Sequence, residues 1–216
     1  MTSTITLYPL SNYTFSTKEA QPEEDPSVTS RLQRLQNNYE DFGMRRTVEG
    51  ILVVHEHGHP HVLMLQIANA FFKLPGDYLR PGEDDVEGLK ERLDDRLAPP
   101  SGQFGAGLTS AQGQKDWEIG DFLWYVFDAI FLSLQKLRLD SALYCQYPYV
   151  PAHITKPKEC KMLYLVQLPE KKVLSVPKNM KLLAIPLFEL YDNPQRYGPQ
   201  LAAIPHVLSR FSFIYA

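Results

Sequence analysis

Residues Phe71–Leu97, FFKLPGDYLRPGEDDVEGLKERLDDRL, decide how this chain folds. Phe71–Leu74 is a short apolar run that reads as a strand, and Pro75, Gly76, Pro81 and Gly82 punctuate the loop after it. An acidic stretch, Glu83-Asp84-Asp85, then opens a helix. Along that helix Val86, Leu89, Leu93 and Leu97 recur at three- and four-residue steps and form one apolar stripe. The remaining positions are mostly charged. Whether its carboxylates stand where a metal ion needs them separates a catalyst from a chain that uses the same shape for something else.

Read with Ala98, the stretch resembles the Nudix box, the strand-loop-helix that holds metal-bound diphosphates in Nudix hydrolases. The enzyme pattern is G-x5-E-x7-R-E-U-x-E-E-x-G-U, with U a bulky apolar residue. Placing its first glycine on Asp77 sets its first glutamate on Glu83 and puts Leu89 and Leu93 at buried positions. The metal-binding glutamates then fall on Arg92, Asp95 and Arg96. A Mg²⁺ site wants hard anionic oxygens, so two guanidiniums there repel the ion. Sliding back one residue gives Lys90-Glu91 and Asp94-Asp95, which looks like an intact acid set, but buries Arg92 and turns the helix by about 100°. The first register is preferred, and it argues against hydrolysis. The resemblance implies an α/β fold, a Nudix-like α/β/α sandwich with a central mixed sheet.

At 216 residues and 44% hydrophobic composition, the chain can bury one good core, and a single domain over 1–216 is expected. A net charge of −3 argues against a protein that holds nucleic acid by bulk phosphate attraction, but not against one that reads bases. Two cysteines, Cys145 and Cys160, without framework spacing, indicate a reducing compartment, and no secretory signal follows Met1. The most apolar run, Phe122–Leu134, contains Asp128 and falls short of the roughly 20 residues that span a bilayer, so no membrane partner is expected.

Along the chain, Ile5–Leu10 and Tyr13–Ser16 read as strands broken by a Ser-Asn turn. Pro26 and Ser27 open a helix with Val28, Leu32, Leu35 and Tyr39 on one side and Gly43 closing it, so residues 1–43 pack as N-terminal strands and helix on the domain. Met44–Glu56 and His61–Ile67 read as strands joined by His57-Gly58-His59-Pro60. After a Pro/Gly/Ser/Gln-rich loop at Pro99–Gly113, Cys160–Leu168 and Lys172–Val176 read as a hairpin-like pair and Leu182–Ile185 as another strand. Pro186–Tyr191 and Gln200–Phe211 read as helices, with Ser212–Tyr215 at the end.

Seven blocks carry a more specific likeness: LYPL-NYTF-TKE (7–19), GMRRTVEG (43–50), FFKLPG (71–76), PGEDDVEGLK (81–90), PAHITKPKE (151–159), PLFELYDN (186–193) and YGP (197–199). Together and in this order they resemble the small subunits of pre-mRNA cleavage factor Im. The resemblance implies a nuclear, homodimeric Nudix-fold protein without hydrolase activity. It implies recognition of UGUA elements in single-stranded pre-mRNA and recruitment of a larger cleavage factor Im subunit carrying an RNA-recognition motif. A Nudix pyrophosphatase and a nucleotide-sensing Nudix fold are the alternative readings.

The resemblance also implies the contacting residues. Single-stranded RNA is read by stacking on aromatics and by hydrogen bonds to base edges. Phe71 and Phe72 are adjacent on a strand and face opposite sides, so one ring can be core while the other is exposed. The family places the stacking ring on Phe71, with neighbouring contacts from Ala70, Phe72 and Leu74; Ala70 stands where other members carry a hydroxyl residue. Both rings in the core is the alternative. Glu23, Arg31 and Glu49 match positions that contact uracil and guanine. A carboxylate suits guanine's two Watson–Crick N–H donors, and Arg31 can donate to carbonyl oxygens and stack. Ordinary surface charge is the alternative for each taken singly. Tyr197-Gly198 matches the far wall of the site, or else is a turn with a half-buried tyrosine.

His55, His57, His59 and His61 alternate as a zinc set on one strand face would, but Gly58 and Pro60 interrupt the strand and no cysteine is near in the sequence. No metal and no cofactor are expected, and the cysteines read as inert. Residues 120–146 depart from the family: a compact Trp-Trp-Arg-Pro-Asn segment is replaced by an apolar one ahead of Tyr147-Pro148-Tyr149. It is either a lineage-specific insertion or a translated intron, and as a native segment its aromatics would form an interface patch.

Overall fold

Leu89, Leu93 and Leu97 are completely buried, and the helix that carries them lies against the middle of a mixed β-sheet. The computed structural model describes residues 3–22, 28–67, 71–100, 117–130, 144–147 and 156–216. In chain order the first elements are β1 (Ser3–Leu7), a 3-10 turn at Leu10–Asn12, β2 (Tyr13–Lys18) and α1 (Val28–Phe42). β3 (Arg45–Glu56), β4 (His59–Ile67), β5 (Phe71–Lys73), β6 (Gly76–Tyr78) and α2 (Asp85–Leu97) follow. Then come β7 (Glu118–Ile130), β8 (Tyr144–Tyr147), β9 (Glu159–Gln167), β10 (Lys172–Pro177) and β11 (Met180–Pro186). The short helices α3 (Leu187–Leu190), α4 (Pro194–Tyr197), α5 (Pro199–Ala202) and α6 (Ile204–Leu208) lead to β12 (Phe211–Tyr215).

The main sheet runs β11-β4-β3-β9-β7-β8, with β5 added to β4 and β6 to β3. β3 and β9 are parallel and the other pairs antiparallel, so the sheet is mixed. Side chains alternate across β3. Val48, Leu52 and Val54 face the core under α2, while Ile51 and Val53 face a second core closed by α3, α5 and α6. Helices on both faces of a mixed sheet make the expected α/β/α sandwich of the Nudix fold.

The central helix is fixed at both ends. Asp84 Oδ1 accepts from the backbone N–H of Val86 (3.0 Å) and Glu87 (3.1 Å), and Asp85 and Glu87 lie in the first turn. At the other end, Lys18 Nζ donates to the carbonyl oxygen of Ala98 at 3.1 Å. The loop ahead of the helix depends on Gly76, at φ +153°: a Cβ there would stand 2.0 Å from the Val48 carbonyl oxygen. That close approach lets β6 pair with β3, with Gly76 opposite Glu49.

Some expected elements are rearranged. β10 does not form a hairpin with β9; it pairs in parallel with β2 in a separate ribbon. Both edges of β9 are already taken by β3 and β7, so the returning chain has no ladder left to join. The turn between β3 and β4 is His57-Gly58 alone, both at positive φ (+50° and +74°), and His59 and Pro60 belong to β4. Pro60 lies one residue beyond the reach of β11, whose last pairing is Pro186 with His61. The helix expected over Gln200–Phe211 is two short ones, because Pro199 and Pro205 each occupy a first turn and lack the N–H that would continue the preceding one. Phe211 belongs to β12, which pairs in parallel with β1. The segment 120–146 contributes β7 residues and most of β8: β7 runs antiparallel to β9 with register shifts near Phe122, and Leu123 is buried. Residues 131–143 of that segment lie outside the described residues. Among the described residues no helix is long and apolar enough to cross a membrane.

Candidate functional site

Two clusters of charged side chains stand where the sequence pointed, one at each face of β3. The first is the strand-loop-helix. Arg92 turns back across Glu83: Nη2 donates to Oε2 at 2.8 Å, Nη1 reaches Oε1, and Nε donates to the Tyr78 carbonyl at 3.0 Å. Arg96 Nη2 donates to Asp77 Oδ2 at 2.5 Å and Nη1 to Gln21 Oε1 at 3.1 Å, while its buried Nε makes no hydrogen bond among the described residues. The Arg92 hydrogen bond, against a smaller cost of burial, holds the Glu83 carboxyl below its ordinary range. Burial alone would raise Asp77, but the Arg96 hydrogen bond, the Tyr78 N–H and the Arg96 charge together bring it below its ordinary value.

These donors do not fit a divalent cation. The two carboxylates that face the loop are neutralised by guanidiniums on the same helix, and a cation there would be repelled before it could displace them. Asp95 is exposed and Glu91 pairs outward with Arg80 at 3.1 Å. Leu89, Leu93 and Leu97 are buried, as expected for the apolar stripe of this helix.

The second cluster lies on the opposite face of β3, at the end nearest its N-terminus. There the apolar side of the sheet, Ile51 and Leu165, gives way to Glu49, Thr47, Lys161 and Glu159. Glu49 is buried: its Oε2 accepts from Gln200 Nε2 at 2.8 Å, and its Oε1 lies 3.5 Å from Lys161 Nζ. Lys161 Nζ also donates to Gln200 Oε1 at 3.4 Å. One residue pair further along, Glu159 is almost fully enclosed, accepts from Thr47 Oγ1 at 2.5 Å and is ion-paired with Arg31 of α1.

Gln200 belongs to the same short helical stretch as Tyr197, joined through Gly198 at φ +82°. Tyr197 packs on Phe72, ring centroids 4.8 Å apart and tilted by 56°. Its hydroxyl donates to Glu189, and burial with that carboxylate pushes the phenol up to about 12. Phe72, Tyr197, Gln200, Glu49 and Lys161 are therefore one connected set.

Phe71 precedes Phe72 on β5. β5 pairs Phe71 with Ile67 and Phe72 with Gln66, so the two rings leave the strand on opposite sides. Phe72 is partly buried and Phe71 is 56% exposed. Leu74 is buried in the core between sheet and helices, which leaves only its backbone for an outside contact. Glu23 and Ala70 lie outside the described residues. Lys161, Gln200, Thr47 and Glu159 did not figure in the sequence reading. Gln200 directly follows the YGP block and Glu159 ends PAHITKPKE, but only the fold shows which carboxylate each one meets.

The histidines separate. His55 Nε2 meets the Ala216 carbonyl oxygen (3.1 Å), His61 Nδ1 meets the His59 carbonyl oxygen (2.8 Å), and His57 is in the turn. Cys160 is buried and its thiol is pushed up to about 11 by desolvation, too high for a reactive thiolate.

Comparison with known proteins agrees with this fold. The sequence model of the family NUDIX_2, described as nucleotide hydrolase, matches residues 3–211. The chain is 50% identical over 213 residues to "Pre-mRNA cleavage factor Im 25 kDa subunit 2" of Arabidopsis thaliana, covering 99% of this chain and 96% of that protein. It is 43% identical over 215 residues to "Cleavage and polyadenylation specificity factor subunit 5" of Dictyostelium discoideum, covering 98% and 96%. Among solved structures, the NUDIX domain of Shewanella oneidensis NrtR complexed with ADP ribose is 14% identical with a TM-score of 0.45, covering 82% of this chain and 96% of that one. Sheet, central helix and near-full-length identity agree: the chain belongs to the Nudix superfamily and, within it, to the family of cleavage factor Im 25 kDa subunits.

Proposed function

We propose that this protein is the sequence-reading subunit of a nuclear pre-mRNA cleavage and polyadenylation factor. It binds UGUA elements in single-stranded RNA, does not hydrolyse nucleotides, and acts as a homodimer that recruits a larger subunit bearing an RNA-recognition motif. The observation that carries this reading is the Glu49 constellation. A carboxylate fixed by Gln200 and Lys161, beside a Phe72–Tyr197 wall, offers an acceptor for a base edge, and the exposed Phe71 ring on the other side of the same strand offers a surface for stacking. Arg31, steered by Glu159, adds donors on the same sheet face. The loss of hydrolysis is supported by Arg92 and Arg96 closing on Glu83 and Asp77.

Fluorescence anisotropy with UGUA and scrambled RNA at two salt concentrations tests the first part. Preference for UGUA with a shallow salt slope is expected, since few phosphates are neutralised by a chain of net charge −3. Equal affinity for both sequences with a steep slope would mean nonspecific phosphate binding. The description of the matching family as nucleotide hydrolase favours a second reading, a pyrophosphatase or nucleotide sensor. Mg²⁺- or Mn²⁺-dependent turnover of a dinucleoside polyphosphate, lost in Glu83→Gln, would establish the enzyme; tight nucleotide binding that competes with RNA would establish the sensor.

A further inference from the structure

Beyond the base-reading cluster, at the first residue pair of the parallel β3–β9 ladder, Arg45 and Lys158 are joined through the backbone, and neither has an ion pair among the described residues. Arg45 N–H donates to the Lys158 carbonyl oxygen at 2.9 Å, and Arg45 is the register partner of Glu159. The Arg45 guanidinium sits over the rings of Phe42 (5.7 Å) and Tyr78 (5.5 Å), and its buried Nε makes no hydrogen bond among the described residues. Lys158 is buried with Nζ 3.8 Å above the Tyr39 ring, and it too has no ion pair among the described residues. Lys156, exposed, is close enough to repel it. Glu159, the register partner of Arg45, is engaged by Arg31 and Thr47. Desolvation, helped by Lys156 and opposed by Glu40, draws the Lys158 ammonium below its ordinary range.

Aromatic rings hold these cations in place without neutralising them, because a ring face offers attraction but no full negative charge. The arrangement is unusual in a chain that is acidic overall, and it adjoins Arg31 through Glu159. We propose that Arg45, Lys158 and Lys156 form a phosphate site that grips the RNA backbone beside the bases read by Arg31 and Glu49. This rests on the proposed RNA reading, and it assigns the backbone contact to residues that the base-reading cluster does not contain. A planar guanidinium near two aromatic rings can donate in parallel to two oxygens of one phosphate. A contact of this kind sets the register of the strand and carries no sequence information.

The test uses the full chain with Arg45→Gln and, separately, Lys156→Gln, which is exposed and leaves the core alone. Each variant should bind UGUA RNA about five-fold more weakly at low salt and lower the slope of log affinity against log salt by about 0.7. The ratio of UGUA to scrambled affinity should stay unchanged. RNAs bearing one neutral methylphosphonate at successive positions should reveal a linkage whose neutralisation weakens the wild type but not Arg45→Gln. Unchanged slope and affinity in both variants would overturn the proposal, as would a collapse of the sequence ratio, which would make Arg45 a base reader. Thermal shift with inorganic pyrophosphate separates the site from the function. If the wild type bound no RNA, the proposed function and the RNA source would both fall. A pyrophosphate-induced rise in Tm that is absent in Arg45→Gln would still identify an anion site, and no rise in the wild type would remove the site as well.

Discussion

Arg92 and Glu83 form a two-pronged ion pair across the mouth of the loop that precedes the central helix, with side chains only 11% and 15% exposed. The pair braces the loop. Glu83→Gln should therefore destabilise the fold by about 1–3 kcal/mol, because it leaves a shielded guanidinium with only the exposed Glu91, 3.2 Å away, as counter-charge. Urea unfolding of the variant beside the wild type measures this.

The pH dependence follows from the same carboxyls. Glu83 and Asp77 both have folded-state values below their ordinary 4.5 and 3.8. The folded state thus binds protons less readily than the unfolded one, and the stabilisation is fully present above those ordinary values. It should be lost as pH falls below about 4.5 and continues down through the folded values. In Glu83→Gln the stability curve measured from pH 6 to pH 2.5 should be flatter, by the share that Glu83 contributes.

Phe71 and Phe72 should separate binding from stability. Phe71→Ala is expected to leave Tm nearly unchanged, since the ring is largely exposed, and to weaken RNA binding by about 1–3 kcal/mol if it stacks on a base. Phe72→Ala removes the partner of Tyr197 and should cost about 2–3 kcal/mol of stability, less than a fully buried phenylalanine. Loss of RNA affinity only with Phe72→Ala would move the stacking platform to the Phe72–Tyr197 wall.

Glu49→Gln keeps the shape of the side chain and removes its charge. It should reduce the preference for UGUA over scrambled RNA by roughly tenfold, about 1.4 kcal/mol, while scrambled affinity stays level. Gln200→Leu should act in the same direction through the lost 2.8 Å hydrogen bond, as a positioning residue. Competition anisotropy with both RNAs reads the ratio directly.

Gly76→Ala should be among the most damaging single changes, costing about 4 kcal/mol or more, since its Cβ would stand 2.0 Å from the Val48 carbonyl oxygen. Because Gly76 is paired with Glu49, a variant that still folds should also lose RNA discrimination. Thermal unfolding followed by binding assays distinguishes the two effects.

Sedimentation at micromolar concentration should give the mass of a dimer, twice 24.7 kDa. Pairing two readers of a four-base element on one RNA raises avidity without new contacts, so a dimer should prefer RNA with two UGUA copies over one. A strictly monomeric mass at that concentration would remove the dimer from the proposed function.

The sequence by itself determined the strand-loop-helix and its register. Val86, Leu89, Leu93 and Leu97 fix the helix phase locally. The longer β-strands and α1 were legible for the same reason: periodicity and capping act over a few residues. The tertiary structure decided the rest. It gave β10 to β2 because β9 had no free edge, and it divided the last helix at its prolines. It also brought Gln200 to Glu49 across 151 positions of sequence and Glu159 to Arg31 across 128, and it set Arg45 and Lys158 over aromatic rings. Those partnerships depend on which strand edges and helix ends meet in space, and hydrophobic pattern along a single chain carries no information about them.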